Sequence, residues 1–216
     1  MESAERTLAK LIGAVRAAGG PRYRAAQIDP EGGRDGGVPG GNIRSVLLMR
    51  EGSFTLFPQA NQAANKVQKR AVDAHFKCVR EQFRPGANPA VLGRRVSAFE
   101  DSRKPLVVLL RNESRRVLLV GLHLVSKRGD DPVAGPTQPP RQPSAAQRRR
   151  QVQLVADYLS RVRACEPDLG IIVAGDMNDG PAAPSLVPLR GLGLVDLSRD
   201  LPEADRYSYK IGRAHV

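Results

Sequence analysis

The sequence predicts an α/β domain built on a mixed sheet, on three observations. An uninterrupted apolar run, Ile171-Ile172-Val173-Ala174, leads through Gly175 into Asp176-Met177-Asn178-Asp179. That is the pattern of a buried strand with polar groups at its C-terminal end. Two apolar segments, Leu106 to Leu110 and Val117 to Leu122, flank the turn residues Asn112-Glu113-Ser114 and read as a hairpin. Between the hairpin and the run, Val152, Val155, Leu159 and Val162 recur at helical spacing, so a helix crosses from one strand to the next. Strands and helices alternate, with hairpins among them, as in a mixed sheet flanked by helices.

The remaining elements follow in order. Ser3 is a fair N-cap for a helix carrying Leu8, Leu11, Ile12 and Val15 on one side, which Gly19, Gly20 and Pro21 bring to an end. A strand over Tyr23 to Ile28 runs into the loop DPEGGRDGGVPGGN, whose glycines imply positive φ angles or a close backbone approach to a ligand. Ser45 to Met49 and Phe54 to Phe57 read as paired strands. Ala60 to Phe83 reads equally as a polar helix or an irregular insertion, and no chemistry is placed there. After a Pro-rich loop from Val125 to Pro143, Ser144 caps the crossover helix, which ends before Pro167. Beyond the apolar run come a short helix through Leu189 and a strand near Leu194 to Leu197. No internal repeat is present.

At 216 residues one substantial core, and so one domain, is expected. With 34 Lys and Arg against 22 Asp and Glu, the formal net charge is +12. Such a balance suits a polyanionic partner, because attraction to phosphate is long-ranged and not sequence-specific. A GC-rich coding sequence, which inflates Arg, accounts for it equally well. Cys78 and Cys165 are too few and too far apart for a metal site or a disulfide framework, and read as two free thiols. No apolar run approaches a membrane span, and Met1-Glu2-Ser3-Ala4 is no signal peptide. If Met1 is the true start, the chain is soluble and cytoplasmic.

Chemistry concentrates at strand ends. Asp176 and Asn178, two residues apart, can aim a carboxylate and an amide into one cleft, a combination that suits Mg²⁺, Mn²⁺ or a phosphate-bound water. The plainer alternative is an Asx-turn, with both side chains bonded only to backbone. His123 ends the second hairpin strand in VGLHLVSK, and Arg103 stands at the mouth of the first in DSRKPL. A lone histidine at a strand end is more often a structural hydrogen-bonder, and Arg103 could be a surface charge beside Asp101. Lys127 could reach phosphate but reads first as a solvated loop lysine. Arg148, Arg149 and Arg150 read as an exposed helix face. Asp196, on the last strand, is given no role.

Five segments in order, DGGVPGGNIR, SRKPL, HLVSKRGDDP with its later QPP, VAGDMND and RYSY, resemble the endonuclease/exonuclease/phosphatase superfamily, and within it the bacterial nuclease-like branch. The resemblance runs over residues 1–209. It implies a deoxyribonuclease I-like, four-layer α/β sandwich of two mixed sheets flanked by helices. It further implies a monomeric, divalent-metal-dependent phosphodiesterase that hydrolyses DNA by metal-assisted in-line water attack with Mg²⁺ or Mn²⁺. Carried over by position, His123, Asp176 and Asn178 would be catalytic, and Asp176 and Asn178 would also hold the metal. Arg103 and Asn42 would serve the substrate phosphate, Asn42 near where relatives place a residue that supports the histidine.

The sequence also departs from the family. Gly121 stands where many relatives have Asn, and the Gln-Glu pair that supplies the metal-binding Glu does not occur. The closing Asp-His pair is missing too, and KIGRAHV, residues 210–216, reads as a non-native tail. The resemblance therefore implies a partial domain over residues 1–209, nearly inactive by itself and with unpaired strand edges. The compartment stays open, many relatives being exported. Two alternatives are a phospholipid or inositol-phosphate phosphodiesterase of the same fold and a non-catalytic nucleic-acid-binding module.

Overall fold

Leu106–Arg111 (β5) lies at the centre of the protein, and its Leu106 to Leu110 are buried on both faces. The computed structural model describes residues 4–32, 34–37, 41, 43–57, 88–132 and 134–206. Asn42, Ser3, the Ala60 to Phe83 segment, Cys78, Tyr207 to Tyr209 and the 210–216 tail lie outside them. Along one edge of β5, Thr55–Leu56 (β3) and Ala90–Val91 (β4) pair antiparallel with successive parts of the strand. The buried Asn88 side chain joins them: its Nδ2 donates to the carbonyls of Phe57 and Leu109, and its Oδ1 accepts from Leu109 N–H. On the other edge Arg116–His123 (β6) closes the expected antiparallel hairpin. In its turn Asn112 Oδ1 accepts from the backbone N–H of both Ser114 and Arg115.

From β6 the chain passes through helix Pro143–Cys165 (α2) to Gly170–Asp176 (β7), which lies parallel to β6. The result is one mixed five-stranded sheet. A second sheet holds Tyr23–Gln27 (β1) antiparallel to Val46–Arg50 (β2). This corrects the expected pairing of Ser45 to Met49 with Phe54 to Phe57. Glu51 N–H continues the ladder to Arg22 O, and the chain then turns at Gly52 (φ +84°) and delivers β3 to the other sheet.

Period-two alternation in the strands sorts two cores. Val107 and Leu109 of β5 and Leu118, Val120 and Leu122 of β6 meet Val152, Val155, Leu159 and Val162 of α2, all buried. Leu106, Val108 and Leu110 face the other way and pack with Ala26 and Met49 of the two-stranded sheet. Among the described residues three layers follow: α2, the five-stranded sheet and the β1–β2 pair. Helix Glu5–Ala17 (α1) buries none of its residues.

Three further expectations are corrected. β7 is an edge strand of the described sheet: Ile171 and Val173 pack on the helix-side core while Ile172 and Ala174 are exposed. Leu194 to Leu197 forms no strand. Asp196 accepts from Ser198 N–H and Oγ, which curls the chain into a 3₁₀ turn over Leu197–Asp200. Cys165 is disulfide-bonded rather than free. The short helix before Leu189 is present, as Val187–Arg190 (α3). No helix among the described residues is long and apolar enough to cross a membrane.

Candidate active site

Parallel pairing of β6 with β7 sets His123 directly opposite Asp176, as the last pair in the register. Leu119, Gly121 and His123 share the face turned away from α2, as do Ile172, Ala174 and Asp176 on β7. His123 Nε2 lies 3.8 Å from Asp176 Oδ2, with the His side chain 26% and the Asp side chain 60% exposed. That gap exceeds a direct hydrogen bond. Gly175 makes the approach possible. At φ +131° it has a conformation L side chains rarely adopt, and a Cβ there would stand 2.0 Å from Leu122 O.

The Leu124 carbonyl gathers the other candidates. It accepts from Arg103 Nη2 at 2.8 Å and from Asn178 Nδ2 at 2.9 Å, while Leu124 N–H donates to Asp176 O. Arg103 is thus half-buried against the site rather than a surface charge, and its buried Nε has no hydrogen-bond partner among the described residues. Burial holds the Arg103 pKa below its usual value, opposed by the Asp176 carboxylate. Burial also lowers the His123 pKa from its ordinary 6.5, the Arg103 charge adds to that, and Asp176 opposes both. The imidazole is therefore neutral at pH 7. Four of the five sequence-derived site residues meet here, and Asn42 lies outside the described residues.

Part of the plainer alternative is present as well. Asp176 Oδ1 accepts from Asn178 N–H at 2.8 Å, an Asx-turn that places Asn178 at φ +50°. One carboxylate oxygen thus shapes the turn, and the other faces His123.

Polar residues of α2 and the neighbouring loops hold this turn from behind. Arg148, expected on an exposed face with Arg149 and Arg150, is buried, and only the latter two are exposed. Its Nε donates to Asp179 Oδ2 at 3.0 Å, and its Nη1 donates to Ser144 Oγ at 2.6 Å. Ser144 lies inside α2, so it is not the N-cap, and it donates its hydroxyl and backbone N–H to Asp130. Asp179 also accepts from Ser185 Oγ at 2.6 Å and pairs with Lys127 Nζ at 3.1 Å. Burial pushes the Asp179 pKa up, yet the bonds from Ser185, Lys127 and Arg148 together bring it below the usual carboxylate value. Gln151 joins the same buried stripe, linking Val125 N–H to Ser102 Oγ. The signal was available: extending the apolar stripe of Val152 and Val155 back by helical steps reaches Gln151, Arg148 and Ser144.

Nearby, Lys104 Nζ stands 2.7 Å from Asp35 Oδ1 with both side chains buried, and also donates to Phe99 O. This pair pins the described part of the glycine-rich loop beside Arg103.

Among the described residues no group of three His, Cys, Asp or Glu converges on a metal position. Here the oxygens number one carboxylate and one amide, beside a guanidinium whose charge repels a cation. Mg²⁺ takes one or two carboxylates together with substrate phosphates and waters in octahedral geometry. By themselves the described donors do not complete an octahedral shell. The group as it stands is a cationic Arg103 and the His123 imidazole beside the Asp176 carboxylate, with the Asn178 amide donating to Leu124 O. Compared with known proteins, the chain matches no family model, no curated protein and no solved structure.

Proposed function

We propose that the protein is a phosphate-ester hydrolase of the endonuclease/exonuclease/phosphatase type, acting on DNA. The observation that carries this reading is the His123–Asp176 pair, 3.8 Å apart at the ends of two parallel strands with Arg103 in electrostatic reach of both. Arg103 draws in a phosphate and offsets the charge that builds on it, which is the largest effect a fixed cation can have on such a reaction. His123, neutral at pH 7, donates its N–H to a phosphate oxygen or accepts a proton through its free nitrogen. Asp176 Oδ2 orients the attacking water, and the Asn178 amide fixes the turn that aims it. The net charge of +12 favours a polyanion over a lipid head group. The Mg²⁺ or Mn²⁺ that the resemblance implies is supplied as a condition of the assay.

The Asx-turn favours a second reading, a phosphate-binding module without turnover, because Asp176 then has a purely structural task. Single-turnover nicking of supercoiled plasmid, with Mg²⁺ or Mn²⁺ supplied or chelated, separates the two. Slow nicking is expected, falling to background with Asp176→Asn and by about 10²-fold or more with His123→Gln. Phosphorylcholine esters should not be turned over. A chain that binds DNA in a salt-sensitive way, unaffected by Asp176→Asn, and nicks nothing would establish the binding module instead.

A further inference from the structure

We propose that Arg148 and Asp179 are a positioning pair, which holds the Asp176–Asn178 turn against the end of β6 so that the Asp176 carboxylate stays facing His123. The proposal rests on the reading above only for its purpose, because the coupling it asserts is measured without turnover. Three observations carry it. First, a fully buried arginine is costly unless it is paired and hydrogen-bonded. Arg148, with 2% of its side chain exposed, meets that condition through Asp179, Ser144 and the Val125 carbonyl, and lies 3.8 Å from Asp130. Its contacts come from α2, from the loop after β6 and from the turn after β7. The two strand ends are therefore tied to one guanidinium.

Second, Asp179 follows Asn178, whose positive φ turns the backbone sharply. Leu124 fixes the near side of the turn by accepting from Asn178 and donating to Asp176. Asp179 fixes the far side through Arg148, Ser185 and Lys127. With both sides held, Asp176 has little freedom to swing away from the imidazole although it is the most exposed member of the site. Third, the pairs are unequal. Arg148 is sealed in, whereas the Lys127 side chain is 58% exposed and adds a screened contact of small value. The buried guanidinium does the holding, together with the Ser185 hydroxyl on the same Asp179 oxygen.

The test uses the whole chain and reads the His123 pKa by NMR, where only three histidines give signals and His123→Gln assigns the relevant one. In the parent, Asp176→Asn is expected to lower the His123 pKa, because the carboxylate favours the imidazolium. In an Arg148→Lys background that melts cooperatively, the same substitution should shift the pKa by about half as much or less. In a Lys127→Ala background the shift should remain as in the parent. Should Arg148→Lys fail to fold, Ser185→Ala removes one bond to Asp179 without stranding a charge, and the shift should again shrink. An Asp176→Asn shift of full size in the folded variant would overturn the proposal. An inactive but properly coupled protein would overturn only the hydrolase reading.

Discussion

On the helix side of the five-stranded sheet, Leu118, Val120 and Leu122 of β6 lie beneath Val152, Val155 and Leu159 of α2. One residue along, Leu119, Gly121 and His123 face the opposite way, where the β1–β2 pair covers β5 but leaves Ile172, Ala174 and Asp176 of β7 exposed. The two faces share strands, register and hairpin, and differ in what lies over them. Under the middle of α2 the residues are apolar, and towards the strand ends its buried stripe turns polar at Gln151, Arg148 and Ser144. Where the cover stops, polar groups reach solvent from a rigid base, which is what a site for a charged ligand requires. The sealed side supplies stiffness to the open one.

The most severe way to break this arrangement is Gly175→Ala, which acts on both faces at once. The added Cβ would meet Leu122 O at 2.0 Å in a conformation alanine disfavours. A loss on the order of 4 kcal/mol is expected from denaturant unfolding. A loss below about 1 kcal/mol would mean that the strand end adjusts freely. Next in size is the contrast between faces. Leu159→Ala, at a fully buried position, should cost about 3 kcal/mol, and Ile172→Ala, on the open face and 49% exposed, less than about 1 kcal/mol. Equal losses would mean that both faces are covered. The smallest effect is on pH dependence. Because the fold depresses the His123 pKa, its stabilising contribution is present above 6.5 and is lost as pH falls through the lowered folded value. His123→Gln should flatten that part of the stability profile, measured by urea unfolding at several pH values.

Much of this was readable from residues alone, for physical reasons that differ by element. His123 and Asp176 announced themselves because each ends an apolar run, and run ends are where parallel strands bring polar groups together. The crossover helix was evident from Val152, Val155, Leu159 and Val162 because the 3.6-residue period is strong over its length. Arg148 is hidden in the sequence because a charged residue within RRR looks like a solvated face. Only the continuation of the stripe, with its partner on a distant turn, marks it as internal. The β1–β2 pairing is not legible in the sequence, where proximity argues for β2 with β3, whereas the ladder closes across the glycine-rich loop. At Leu194 to Leu197 local apolar character suggested a strand, yet the Asp196 side chain captures the donors a ladder would use. No residue pattern distinguishes β7 as an edge from β7 as an interior strand, since that depends on neighbours far along the chain.

The Asn112 hairpin turn has a practical consequence. It is exposed, held by its own side chain, and lies at the far end of an eight-residue strand from His123, about 25 Å away. A fluorophore or spin label attached at Glu113 would ride on the same rigid rod as the imidazole without crowding it. Distances from that fixed beacon to an end-labelled oligonucleotide would test the proposed binding of DNA and, where it binds, the direction in which it crosses the molecule.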